Sequence, residues 1–251
     1  PQLKVIALTG SSGKTTTKEM LGSILSRIAP TLVTRGNLNN DLGVPVMLLE
    51  LRPEHQYAVM ELGASHQGEI DYTSNLVQPL VAGIINIGTA HLGEFGGRDG
   101  ICRAKSEIYA HIAPNGTSIV PAADDFADSI RQAVQTEQVL SFGAGGEIFA
   151  TEIELQAQSA TFKLNTPQGV RQVNLPFAGE HNVQNATAAA AFALAIGISL
   201  DDIVLGLEQA VGAKGRLNFI QQGRHLLIDD TYNANPTSMR AAAEVLAQQE
   251  G

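Results

Sequence analysis

A chain of 251 residues, 44% hydrophobic and 16% charged, is long enough to bury a large core as one domain or two. A net charge of −9 with no basic tract argues against a nucleic-acid partner, and no apolar run is long enough for membrane insertion. The single Cys102 excludes an internal disulfide and, with no signal peptide in view, points to a reducing, cytoplasmic setting.

From the amino end, a β-branched run starting at Val5 leads into Thr9-Gly10-Ser11-Ser12-Gly13-Lys14-Thr15-Thr16. A helix follows, with Met20, Leu21, Ile24, Leu25 and Ile28 on one face. Strand, small-residue loop and helix in that order suit phosphate. Backbone N–H groups from Gly10 through Thr16 can point at phosphate oxygens, and the helix N-terminus adds positive potential. Lys14 reaches the terminal phosphates, and the Thr15 hydroxyl is placed for Mg2+. Where the pattern G-x-x-x-x-G-K-[ST] has its first glycine this chain has Leu8, so Gly10 is expected to relieve the turn.

Thr31–Val33 reads as a short strand and Arg35–Pro45 as an asparagine-rich loop, either a solvated turn or a substrate-facing one. Tyr57–Glu61 and Val81–Ile87 read as buried strands; the first ends on Glu61, and the second leads to His91. Helical segments separate the strands, so the sheet should be mostly parallel, with ligands at the carboxyl ends of its strands. Glu61 and His91 fall at that end and make a plausible Mg2+ shell. In a helix expected over Ile101–Ile112, Lys105 lies on the apolar stripe of Ile101, Ile108 and Ile112. It either snorkels past its neighbours or is a functional amine whose pKa burial lowers.

Thr117–Val120 is a further strand, Asp124–Val134 a helix and Val139–Phe142 a strand. From Ile148 to Phe177 the period changes to two, which predicts a small antiparallel sheet appended to the parallel one. Gly179 to Ala186 opens an alanine-rich helix with Asn182 and Asn185 on one face, as caps or as readers of a purine edge. Leu200–Val211 is amphipathic, and the loop Gly212–Arg216 looks like a boundary, with Arg216 a candidate phosphate partner. Leu217–Gln221 and His225–Ile228 predict a hairpin, then Asp229 to Pro236 a loop and a helix from Thr237.

Taken together these pieces resemble the Mur ligase family, ATP-dependent amide-forming enzymes of bacterial cell-wall synthesis. The resemblance runs from Val5 to Asn235. It rests on Thr9–Thr16 (whose missing first glycine the family shares), Glu61-Leu62-Gly63, His91, Ala104-Lys105-Ser106-Glu107-Ile108, His181-Asn182 with Asn185, and Gly215-Arg216. Gly36–Asn40, Gly63–Ile70 and Asp229–Pro236 look like members whose partners are UDP-N-acetylmuramoyl-tripeptide and D-alanyl-D-alanine.

The resemblance implies an α/β fold: a mostly parallel P-loop sheet flanked by helices, a small antiparallel sheet, then the start of a Rossmann-like domain. Residues 1–213 would form the central ATP-binding domain, and 214–251 the truncated beginning of the next. By the same resemblance Gly10–Thr16 hold ATP, Thr15 and Glu61 hold one Mg2+, and His91 holds a second with Lys105 as an N-carboxylated lysine. Asn182 and Asn185 face adenine, Arg216 the γ-phosphate and Asp230 the ribose; Lys14, Lys105, His91 and Arg216 are the catalytic group. The chain is expected to be monomeric and, lacking domains that family members carry, inactive alone. Two other readings stay open: another amino-acid ligase of the same mechanism, extending the folate glutamate tail or adding the third muramoyl residue, and a non-catalytic P-loop module. The second has no use for Lys105 on an apolar stripe.

Overall fold

The computed structural model describes residues 3–89 and 92–249. It opens with β1 (Lys4–Thr9), α1 (Lys14–Ser26), β2 (Thr31–Val33), α2 (Gly43–Leu48), β3 (Tyr57–Glu61), α3 (Glu69–Val77) and β4 (Val81–Ile84). Then come α4 (Leu92–Phe95), α5 (Arg98–Ser106) with a 3-10 turn at Glu107–Tyr109, β5 (Thr117–Pro121), α6 (Ala127–Ala133) and β6 (Gln138–Phe142). The remainder is β7 (Phe149–Leu155), β8 (Ala160–Thr166), β9 (Gly169–Leu175), α7 (Glu180–Ala195), α8 (Leu200–Glu208), β10 (Asn218–Gln222), β11 (His225–Asp229) and α9 (Pro236–Ala247).

The first six strands form one sheet in the order β2-β3-β1-β4-β5-β6, and every pairing in it is parallel. Both faces are covered, as a parallel sheet requires. Alternation along β1 sends Ile6 and Leu8 to one layer and Ala7 to the other. The first layer takes Met20, Leu21, Ile24 and Leu25 of α1. Burying each of these stabilises the fold by about 1.5–3 kcal/mol. The second takes Met47 of α2, Ile70 of α3, Ile101 of α5 and Ile130 of α6. In α7, Ala186, Ala188, Ala189, Ala190, Ala191 and Ala193 are all buried, and their small side chains let α1 pack alongside. Strands β7, β8 and β9 make the expected antiparallel sheet, whose alternate residues Phe162, Leu164, Val173 and Leu175 join the first layer. Strands β10 and β11 form the hairpin, and an Asn235–Ser238 capping box starts α9.

Several boundaries differ from expectation. Ile28 lies beyond the end of α1 and is 42% exposed, so it does not belong to the buried face. The helix expected over Ile101–Ile112 begins at Arg98, and after Ser106 it tightens into the 3-10 turn; Ile108 stays buried while Ile112 is only half-buried. The end of the asparagine-rich loop folds into α2, because Pro45 falls in the first turn, where a missing N–H costs nothing. Helix α6 starts at Ala127 rather than Asp124, whose carboxylate accepts the Phe126 N–H at 2.9 Å. Among the described residues no helix is long and apolar enough to cross a membrane.

Candidate functional site

At the carboxyl ends of β1, β4, β5 and β6 lies a cavity of about 650 Å3, within the size class of small-molecule sites. The strand order reverses at β1, the position open α/β sheets use for ligands. Residues 11–16, Asn182, Asn185, Arg216 and Asp230 all line this cavity, as do the apolar side chains of Ile85, Phe142 and Phe177. Gly13 takes the left-handed turn into α1 with φ 75°, and a Cβ there would collide with the Asn185 side chain. Gly10 is outside the left-handed region, so it does not relieve the turn. What it supplies is room, since its Cβ would sit 3.1 Å from Ile85 Cβ.

Lys14 and Arg216 bring two cations to the cavity lining. Lys14 Nζ donates to the Gly10 carbonyl at 2.9 Å. Burial pushes its pKa down; the Glu61 carboxylate opposes that and Arg216 adds to it. Glu61 is 1% exposed; Oε1 accepts from Asn39 Nδ2 at 2.7 Å, while Oε2 is buried with no hydrogen-bond partner among the described residues. The Lys105 ammonium, on a residue 5% exposed, has no hydrogen bond or ion pair among the described residues. Burial, then the like charge of Lys14, lowers its pKa to about 7. Arg216 donates to the Thr15 hydroxyl at 3.0 Å and stacks on the Tyr232 ring at 4.2 Å.

The remaining expected residues divide. Asn182 and Asn185 are buried and joined, Asn185 Nδ2 donating to Asn182 Oδ1 at 3.1 Å and Asn182 Nδ2 to the Ala178 carbonyl at 2.8 Å. Asp230 accepts the Leu217 N–H at 3.2 Å. Glu61 and Lys105 do not line the cavity; they are coupled to it through the charge of Lys14. His91 lies outside the described residues. Asn39, read as solvated or substrate-facing, instead holds Glu61 and accepts the Gly63 N–H at 2.7 Å through its carbonyl.

Two site features were not apparent in the sequence, and a third, His181, was visible only as part of the His181-Asn182 motif with no role attached. Asn86 bonds directly to the phosphate loop. Asp124 and Arg98 grip Ile87 on both sides, accepting its N–H at 2.8 Å and donating to its carbonyl at 2.8 Å. His181 lines the cavity with a pKa lowered by burial, against the pull of Asp230 and Glu244. Asn86 and Ile87 fall in the strand expected to run to Ile87, whereas β4 stops at Ile84 and leaves both beyond its carboxyl end.

An open parallel sheet whose first strand delivers a Gly-Lys-Thr loop to its switch point defines an α/β protein of the P-loop nucleotide-binding class. Residues 8–193 match the Mur ligase middle domain, and the chain belongs to the Mur ligase family. It is 47% identical over 248 residues to the UDP-N-acetylmuramoyl-tripeptide–D-alanyl-D-alanine ligase of Haemophilus influenzae, covering 97% of this chain and 54% of that protein. It superposes on a crystal structure of MurF from Acinetobacter baumannii with TM-score 0.98 at 80% identity, covering 99% of this chain and 55% of that one. MurF ligase from Thermotoga maritima in complex with ADP gives TM-score 0.89 at 29% identity, covering all of this chain and 58% of that one. The chain thus spans about half the length of the relatives it matches.

Proposed function

We propose that this chain is the nucleotide-binding centre of an ATP-dependent carbon–nitrogen ligase that joins D-alanyl-D-alanine to UDP-N-acetylmuramoyl-tripeptide in peptidoglycan synthesis. The observation that carries it is the convergence of Lys14, Thr15 and Arg216 on one cavity, with the buried Lys105 and Glu61 coupled to it. The two substrates are those in the name of the Haemophilus influenzae relative. ATP as the energy source puts the reaction in the cytoplasm, and a monomer suffices, since one chain supplies the groups invoked. Residues 1–213 would form the central domain and 214–251 the start of the next, parted at the loop ending in Arg216.

In this reading Lys14 and the loop N–H groups hold the ATP phosphates, Asn182 and Asn185 face adenine, and Asp230 faces the ribose. The tripeptide carboxylate attacks the γ-phosphate. Lys14 and Arg216 offset the charge that spreads over the transferring oxygens. The acyl phosphate that forms is then attacked by the dipeptide amine, which expels phosphate and leaves the new peptide bond.

The donor set fits Mg2+, an oxygen-seeking ion: Glu61 Oε2 is a buried carboxylate oxygen without a hydrogen-bond partner among the described residues, and Thr15, which lines the cavity, adds a hydroxyl. Thr15 and Glu61 would hold one ion, and His91 with a carboxylated Lys105 a second. Bound there, Mg2+ neutralises phosphate charge. With its pKa lowered to about 7, a substantial share of Lys105 is the neutral amine near pH 7, which can add to CO2 with loss of a proton, and the carbamate replaces a repulsive neighbour of Lys14 with an attractive one.

The test is acceptor-stimulated phosphate release by a ligase carrying this chain. Release should require both the UDP-linked tripeptide and D-alanyl-D-alanine. Stimulation by a folate or by the dipeptide muramoyl precursor would move the assignment to another ligase of the same mechanism, and release indifferent to any acceptor would end the ligase reading.

A further inference from the structure

Two residues past the end of β4, Asn86 is bonded to the phosphate loop from several directions. Its Oδ1 accepts the Ser12 N–H at 3.0 Å and the Ser12 hydroxyl at 3.3 Å, and its Nδ2 donates to the Ser12 carbonyl at 3.0 Å. Its own carbonyl accepts the Ser11 N–H at 3.1 Å, and nearby the Gly88 N–H donates to Ser11 Oγ at 2.8 Å. Ser11 and Ser12 therefore spend both of their backbone donors on one residue.

The next four donors are in a different state. No hydrogen bond to another described residue engages the N–H groups of Gly13, Lys14, Thr15 or Thr16, and the first in-helix bond runs from Thr17 N–H to the Gly13 carbonyl at 2.9 Å. That follows from helix geometry, since first-turn N–H groups have no acceptor behind them. The loop is thus divided into a half tied to β4 and a half left open.

We propose that Asn86 is a positioning residue: it fixes Ser11 and Ser12 so that the loop is set before nucleotide arrives, and of the loop's backbone N–H groups only those of Gly13 to Thr16 receive the phosphates. The proposal rests on the nucleotide reading above and deepens it by assigning the loop's donors. A loop held in its binding geometry loses little freedom when phosphate docks, so its contribution is to affinity for the phosphates and not for the base.

Amide exchange followed by NMR on the unaltered chain, with and without Mg2+-ADP, tests the division directly. Ser11 and Ser12 should be protected without nucleotide and gain nothing from ADP, while Gly13 to Thr16 gain protection. Free exchange at Ser11 and Ser12 in the absence of nucleotide, or protection there that appears only with ADP, would overturn the proposal. Calorimetric titration then separates positioning from general support. Asn86→Ala should weaken ADP by roughly tenfold or more and leave adenosine within about twofold, because only the phosphate contacts depend on the loop. Equal weakening of both ligands, or of neither, would count against Asn86. Should the variant fail to fold, the exchange pattern of the unaltered chain decides. A chain that binds neither ADP nor adenosine removes the nucleotide reading and this assignment with it, whereas loss of the predicted exchange pattern in a chain that does bind ADP removes this assignment only.

Discussion

Lys18 in α1 and Lys105 in α5 are both lysines withdrawn from water, at 0% and 5% exposure, and their surroundings are opposite. Lys18 Nζ donates to the Thr34 carbonyl at 2.7 Å and pairs with Glu19 at 2.9 Å. Lys105 has no such partner among the described residues and faces the charge of Lys14. A buried cation with a carbonyl and a carboxylate is a structural tie between α1 and the segment after β2. A buried cation facing another cation costs stability, and such a cost is kept where the group does something in the site.

The comparison breaks most visibly in activity. Lys105→Ala should lower acceptor-dependent amide synthesis by a ligase carrying this chain by roughly a hundredfold or more, whereas Lys18→Met should change it by less than about threefold. Steady-state product formation measures both, and equal effects would erase the distinction. Arg216→Ala is expected to cost about a hundredfold in the same assay, with Arg216→Lys recovering only part, since an ammonium cannot reproduce the guanidinium fork.

Stability should order the two lysines the other way. Lys18→Met leaves the Thr34 carbonyl unpaired in the core and should lower the unfolding free energy by about 1–3 kcal/mol, read from urea denaturation. Lys105→Met should not destabilise the fold, and its benefit should depend on pH. The folded pKa of Lys105 is about 7 against an ordinary 10.5, so between those values the unfolded chain binds more protons and the unaltered protein gains stability as pH rises. The advantage of Lys105→Met is therefore full below about pH 7 and vanishes towards pH 10.5; a constant difference across that range would mean the ammonium is not the source.

Periodicity was enough to read Lys105 as either functional or snorkelling, because its own helix carries the apolar stripe. Lys18 gave no such sign: its burial is decided by Thr34 and by packing from elsewhere in the chain. Strands β2 and β3 match their expected bounds to the residue, Thr31–Val33 and Tyr57–Glu61. Helix α2 was not, because Gly43 and Pro45 carry the composition of a turn. The phosphate loop, Glu61 and Arg216 were visible as residue types in order, but what braces them was not. Asn86 reaches Ser12 across 74 positions, and Asn39 reaches Glu61 across 22, distances over which no local pattern extends.

The side chains that would grip phosphate have partners within the protein: Lys14 rests on the Gly10 carbonyl and Arg216 on the Thr15 hydroxyl. At these two side chains an arriving phosphate thus exchanges one hydrogen bond for another, so they add little to the hold that the open N–H groups of Gly13 to Thr16 supply. The same resting contacts wait for these cations when the phosphate departs. On the ligase reading proposed above, in which the site releases ADP and phosphate on every turnover, a grip with somewhere to return to makes letting go as well provided for as holding on.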